Sequence, residues 1–373
     1  MLISHWKRIT AITLLGTFLQ VSAQAKVKIE EKGTVHVPGF VLPESSFLND
    51  ETRGALKKVR QLPSVPERKA CPPIDKAEIA EIAAIRDCRA AAFYQRPDYK
   101  LMTETYNVHI ESTAIAGVPV EIFTPKSGIS DANKNRVLIN LHSGAYLRGS
   151  RTASHMDSIP IAATGHIKVI SIDYRLGPEF RFPAASEDVA AVYGALLRDY
   201  SPDTIGIYGS SGGAMLLAQS IAWFLEHKLP MPGAVGMFGS GAPTALEEER
   251  YKWLQSDSAY IFDAIHGTNI DDLYGPPHAY FKGIDRRERL SSPGSFDDIM
   301  ERFPPTLLMN GGLRDFSLSM VLVTHAQLTR LGVDAELHAW EGMPHVFHLN
   351  PMYPEAKEAY SVATNFFNRH LAK

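Results

Sequence analysis

Ile205-Gly-Ile-Tyr-Gly-Ser-Ser-Gly-Gly-Ala-Met-Leu-Leu-Ala218 holds three kinds of local structure in fourteen residues. Ile205 to Tyr208 is a short β-rich run, and Ala214 to Ala218 is a run of helix formers. Between them, Gly209-Ser210-Ser211-Gly212-Gly213 can make a tight turn, because glycine accepts backbone angles and close approaches that a Cβ forbids. A serine in the middle of such a strand–turn–helix junction is held with its hydroxyl above the sheet, at the positive end of the helix. That residue is Ser211; Ser210 offers a second hydroxyl but not the middle position. A Gly-x-Ser-x-Gly pentapeptide alone also occurs in ordinary Gly/Ser loops, so the flanking strand and helix give it its weight.

In both directions from this junction, short apolar runs alternate with helical ones. Val137-Leu-Ile-Asn-Leu141, Val169-Ile-Ser-Ile172, Val235-Gly-Met-Phe238, Thr306-Leu-Leu-Met309 and Ala335-Glu-Leu-His-Ala-Trp340 are strand-like. Helical spacing runs over 184–199, 212–227, 317–331 and 354–370. Near-continuous apolar strands separated by helices predict an α/β fold, a mostly parallel central sheet flanked by helices on both faces. Val118 to Phe123 places Val118, Val120 and Ile122 on one face, and Pro119 suggests that this strand lies at the sheet edge. Residues 243–302 break the alternation with a charged, aromatic, Pro/Gly-rich segment, the kind of insertion that forms a lid near the strands' C-terminal ends. Residues 26–105 lack strand patterning: a proline-punctuated stretch leads to Asp75-Lys76-Ala77-Glu78, which resembles a capped helix start before Ile79, Ile82, Ala83 and Ile85. This segment reads as an appendage to a domain spanning 106–373.

The chain has 373 residues, 45% of them hydrophobic, and a formal net charge of −3. That supports a buried core and one large domain, and the lack of a basic block argues against nucleic acid as a partner. Residues 1–25 carry Lys7 and Arg8, a mostly apolar run from Ile9 to Val21, then the small residues Ser22, Ala23 and Ala25. This is a signal-peptide pattern, so the protein is expected to be exported, to the periplasm or beyond. The apolar run is short for spanning ~30 Å of hydrocarbon, and no other stretch is longer, so no stable membrane span is expected. Cys71 and Cys88 are the only cysteines, and an oxidising destination makes a disulfide between them the natural reading, with two buried thiols as the alternative.

A serine hydroxyl is a weak nucleophile until a base takes its proton. On sheets of this kind the acid and the histidine follow the serine in chain order, each after a later strand. Asp315 follows the run at 306–309 and the turn Gly311-Gly312, and His345 follows the run at 335–340. Glu341 is a rival for the acid, but only Gly342-Met343-Pro344 separates it from His345, and the proline restricts that connection. His348 could mimic His345 or pair with it on a metal; with no third ligand cluster evident, no metal is expected. Donors for an oxyanion should come from the loop after the strand at 137–141 and from the residue after the nucleophile. The backbone N–H groups of Gly144, Ala145 and Gly212 fit those places.

Taken together, these residues resemble the hormone-sensitive-lipase-like (bacterial family IV) esterases of the α/β-hydrolase superfamily. The similarity is carried by His142-Ser-Gly-Ala-Tyr146, Asp173-Tyr-Arg-Leu-Gly-Pro-Glu179 with Phe182-Pro-Ala-Ala185 and Asp188, the turn Gly209 to Gly213, Gly312-Leu-Arg-Asp315 and Gly342-Met-Pro-His345. The resemblance implies an α/β-hydrolase core and a cap built from the N-terminal segment and the 243–302 insertion. It also implies cofactor-free hydrolysis of small-molecule carboxylic esters, with Ser211, His345 and Asp315 as the catalytic residues. A lactonase, amidase or polyester hydrolase would use the same groups, and non-catalytic ligand-binding relatives have lost the histidine that is present here. Ser143 replaces the first glycine of the family's His-Gly-Gly-Gly/Ala loop, Ser210 and Gly212 depart from its Gly-Asp-Ser-Ala-Gly turn, and Ser319 replaces an acidic residue. Asp173, Arg175 and Glu179 read as salt-bridge or turn residues behind the site. No long amphipathic lid helix is evident, which favours short or medium acyl chains.

Overall fold

The computed structural model describes residues 27–31, 35–36, 41–61, 71–74, 77–245, 258–266 and 280–372; residues 1–25, expected from their pattern to be a signal peptide, lie outside them. The chain divides into two units, Met1–Glu44 and Ser45–Lys373. In the first, β1 (Lys28–Ile29) pairs antiparallel with β2 (Val35–His36).

The second unit opens with three helices, α1 (Asp50–Gln61), α2 (Ile82–Phe93) and α3 (Pro97–Thr105). There follow β3 (Val108–Ile115), β4 (Val118–Pro125), β5 (Val137–Leu141), α4 (Ala153–Gly165), β6 (Lys168–Ile172), α5 (Ala184–Leu196), β7 (Ile205–Ser210), α6 (Gly212–Glu226) and β8 (Ala234–Phe238). The insertion contributes α7 (Ser258–His266) and α8 (Asp297–Met300) before β9 (Thr306–Gly311), α9 (Leu318–Arg330), β10 (Ala335–Trp340) and α10 (Pro354–His370).

Eight strands form one sheet in the order β10-β9-β8-β7-β5-β6-β4-β3. From β6 to β10 every pairing is parallel; β4 pairs antiparallel with both β6 and β3. Every residue of β5, β7, β8 and β9 is buried, as parallel strands covered on both faces require. One face is packed by α5, α6 and α9 through residues such as Val189, Leu217 and Val321. The other is packed by α4, α10 and α1 through Ile159, Phe367 and Leu56.

Three expectations are corrected. The strand carrying Pro119 is not the edge: β3 lies outside it. Pro119 is tolerated because the ladder with β6 covers only Val120–Phe123, and the Pro119 carbonyl, just beyond it, still accepts the Asp173 N–H. The true edge, β3, exposes His109 and Glu111, charged or polar groups that discourage pairing with another chain. The helical stretch begins later than expected, with a short 3₁₀ turn at Ile79–Glu81, capped by a reciprocal Glu78–Glu81 box, leading into α2; Asp75 and Lys76 lie outside the described residues. And α4, where no helix was expected, is buried on nearly every side, so it shows no amphipathic period, and it contains Pro160.

Candidate active site

Ser211 stands at the junction of β7 and α6 with φ 53° and ψ −117°, a conformation that a non-glycine residue adopts only under constraint. Its N–H donates to Phe238 O at 2.7 Å, tying the turn to the neighbouring strand. The turn closes because position 213 is glycine: a Cβ there would meet Leu141 O at 1.9 Å.

The structure brings Ser211, His345 and Asp315 into one line. His345 Nε2 is 2.9 Å from Ser211 Oγ, and His345 Nδ1 is 2.8 Å from Asp315 Oδ1. Asp315 is wholly buried, and its Oδ1 also accepts from the N–H of Ser317 at 3.0 Å and from its hydroxyl at 2.7 Å. Burial alone would raise the Asp315 pKa; the charge and hydrogen bond of His345 and the Ser317 donors outweigh it and hold the pKa below the usual carboxylate range. An anion is therefore fixed where an imidazolium would form. The Phe316 ring lies 4.0 Å from the His345 ring, and Phe262 of α7 packs edge-on against Phe316. Glu341 does not touch His345: its Oε2 accepts the Leu313 N–H at 3.1 Å and steadies the turn that leads to Asp315. His348 turns away from His345 toward Ser210, so the two do not form a ligand pair. Among the described residues no group of three or more His, Cys, Asp or Glu could hold a metal ion.

The loop after β5 passes through three residues of positive φ, Gly144, Ala145 and Tyr146. It lies against the nucleophile turn: a Cβ on Gly212 would come within 2.8 Å of Ala145 N. The two segments expected to supply oxyanion donors are thus in backbone contact, and the glycine at 212 permits it. His142 anchors this loop. Its ring stacks on Tyr174 at 4.2 Å, Tyr174 donates to His142 O at 2.7 Å, and Nδ1 bonds Ser143 O at 2.8 Å. Complete burial pushes the His142 pKa down to about 4, so the ring is neutral and serves as a fixed donor and acceptor.

Behind the loop lie the residues read as structural. Arg175 pairs with Asp188 and Glu187, both at 2.8 Å, and Arg86 of α2 pairs with Glu179 while its Nε bonds Leu147 O at 2.9 Å. Asp173 is pushed up to about 6, chiefly by burial and further by the charge of Glu121, with Arg151 at 3.8 Å opposing the shift. Cys71 and Cys88 form a disulfide with Cα atoms 5.9 Å apart, pinning the segment before α2 to that helix. A cavity of about 700 Å³ opens between α2 and this loop, reaching Ser143 and Gly144.

A nucleophile-turn serine bonded to a histidine that is bonded to a buried aspartate, all on the C-terminal ends of a parallel sheet, defines the serine-hydrolase arrangement on an α/β scaffold. Residues 138–349 match the model of the alpha/beta hydrolase fold family, and the chain belongs to that family. It is similar to an acetyl-hydrolase of Streptomyces hygroscopicus, 28% identical over 233 residues that cover 62% of this chain and 75% of that one. It is also similar to an esterase of Acinetobacter venetianus, 27% identical over 271 residues that cover 72% and 84%. Among solved structures, a crystallised esterase aligns with a TM-score of 0.72 at 28% identity, covering 90% of this chain and 99% of its own. An esterase from the bacterial hormone-sensitive lipase family aligns with a TM-score of 0.69 at 26% identity, covering 87% and 99%.

Two site features escaped the sequence reading: Ser317, whose donors hold Asp315, and Phe316 against the imidazole. Their only signal was adjacency to Asp315.

Proposed function

We propose that this protein hydrolyses short- to medium-chain carboxylic esters of small molecules through an acyl-enzyme, with Ser211 as nucleophile. The single observation that carries this is the continuous line Ser211 Oγ–His345–Asp315, at 2.9 and 2.8 Å. His345 Nε2 takes the Ser211 proton as Oγ attacks the acyl carbon, then gives it to the departing alcohol. Water repeats the cycle in reverse: His345 deprotonates it, it attacks the acyl carbon, and Ser211 leaves reprotonated. Asp315, held ionised, fixes the imidazole and stabilises its cation. The N–H groups of Gly144, Ala145 and Gly212 receive the oxyanion; one such donor is worth roughly 10²–10³ in rate. The names of the relatives, acetyl-hydrolase and esterase, support esters over amides or lactones and favour a short acyl group.

We assign the cap to the N-terminal segment and the 243–302 insertion, and read residues 1–25 as a cleaved leader that sends the enzyme to the periplasm or beyond. The Cys71–Cys88 bond supports an oxidising destination. Hydrolysis of p-nitrophenyl acetate and butyrate, with fluorophosphonate labelling of Ser211, tests the activity. Tight ligand binding without turnover or labelling would instead favour a non-catalytic receptor.

A further inference from the structure

A second serine–histidine–aspartate set adjoins the first. Ser210 immediately precedes Ser211, His348 comes three residues after His345, and both converge on Asp157 of α4. Ser210 Oγ donates to Asp157 Oδ1 at 2.8 Å; His348 Nε2 is 3.0 Å from Ser210 Oγ and 3.3 Å from the same carboxylate oxygen. All three residues are buried. We propose that Asp157 is a positioning residue of the ester-hydrolase site: by holding Ser210 and His348 on one oxygen, it sets the spacing between Ser211 and His345.

Two observations support this role. First, the backbone is strained at one triad position, Ser211, and at the residue that follows another, His345. Ser211 has φ 53°, and Val346, between His345 and His348, has φ 45°, a region β-branched residues avoid. Such conformations persist only where neighbouring contacts over-determine them, and here Ser210, just before Ser211, and His348, two residues after Val346, both bond Asp157. The His348 end is fixed further by the Tyr360 hydroxyl, which donates to His348 O. Second, stability alone does not explain the arrangement. Asp157 Oδ2 is buried with no hydrogen-bond partner among the described residues, leaving the carboxylate only half satisfied. Buried ion pairs are commonly no more stabilising than well-packed apolar side chains of the same volume. Such a carboxylate does, however, give two separate loops a common fixed point, and α4 holds that point rigidly through its packing on α10, β4 and β6.

The role rests on the ester-hydrolase reading, and the test separates the two. Asp157→Asn and His348→Gln are made in the full chain and assayed with p-nitrophenyl acetate beside wild type and Ser211→Ala. Positioning predicts that kcat falls about ten- to a hundredfold in each variant while KM stays within twofold. The double variant should fall no further than the worse single, because both remove one device. Folded variants with kcat within twofold of wild type, or single losses that multiply in the double variant, overturn the proposal. So does a lowered melting temperature with kcat and KM both preserved. Should neither variant fold, Ser210→Thr and Ser210→Ala decide the matter: the threonine, which keeps the hydroxyl, should retain wild-type kcat, and the alanine should lose several-fold. Equal rates for the two overturn the role. Absence of wild-type turnover, or its survival in Ser211→Ala, defeats the ester-hydrolase reading itself and the positioning role with it.

Discussion

The molecule holds two Ser/His/Asp sets built from adjoining residues, and they differ in connectivity and access. In one, Ser211, His345 and Asp315 bond in series, with the His345 side chain 16% exposed and Asp315 fully enclosed. In the other, Ser210 and His348 meet on a single oxygen of Asp157, and the histidine and aspartate side chains are only 6% and 1% exposed. A series leaves the serine with a free reactive end and gives its proton a path toward an anion. A convergent set has no free end; it can only hold. The same three residue types therefore become chemistry or scaffolding according to which group is terminal and which is open to substrate.

The sharpest way to break this contrast is to remove each serine. Ser211→Ala should lower kcat by about 10⁶ with folding intact, whereas Ser210→Ala should stay within about tenfold. The opposite ranking, measured on p-nitrophenyl ester turnover, would exchange the two sets. Next in size is the acid: Asp315→Asn should cost roughly 10⁴ in kcat, as in a protease triad, and Glu341→Gln less than about tenfold. Comparable losses from both would mean that Glu341 shares the imidazole. Although the resembling family carries alanine at this place, the loop here closes on a glycine, so Gly212→Ala should lower kcat by about 10–10² without changing the labelled residue, because the added Cβ, 2.8 Å from Ala145 N, displaces one wall of the oxyanion site. Wild-type kcat in Gly212→Ala would remove Ala145 from that site.

The remaining two effects are on stability. Reducing the Cys71–Cys88 bond, which closes a loop of about 18 residues, should lower unfolding free energy by ~3 kcal/mol in the chain-entropy model. A melting temperature unmoved by reductant would show that the loop is ordered without it. For Asp173 the sign follows from a folded pKa of about 6 against an ordinary aspartate value of 3.8. The protonated form is favoured in the folded state, so stability is full below about pH 4 and is lost as pH rises through 6, by up to roughly 3 kcal/mol. Asp173→Asn should therefore melt higher than wild type at pH 8 and level with it at pH 4; no difference at pH 8 would show the charge to be compensated.

Much of the parallel sheet was legible because its strands are short, apolar and bounded by glycine or polar turns: Val137–Leu141 and Ala335–Trp340 lie where the pattern places them. The same holds for Ser211, Asp315 and His345, each at a strand's C-terminal end, where chain order alone narrows the candidates. What stayed hidden had no period to show. α4 is buried almost all round and interrupted by Pro160, so Asp157 offered no clue to its place beside Ser210. β3 exposes most of its residues and lacks the apolar alternation that marks a strand with one covered face. Pro119 misled because a proline is excluded only where the ladder needs its N–H, and the sequence does not reveal where the ladder with β6 stops.

β8 and β9 are neighbours in the sheet, yet the chain between them runs from Gly239 to Pro305. Since both ends are clamped by strand pairing, the entropy of closing that span grows only with the logarithm of its length. Relative to a ten-residue link the penalty is about 2 kcal/mol. Lengthening or shortening the exposed parts of this segment is therefore thermodynamically mild, while Tyr280, Phe281, Met300 and Phe303 of the same segment are buried in the core, and β7, β9 and β10, from whose ends Ser211, Asp315 and His345 project, keep their register. The strand ends that carry the reaction are thus set apart from a connection whose length is only lightly constrained.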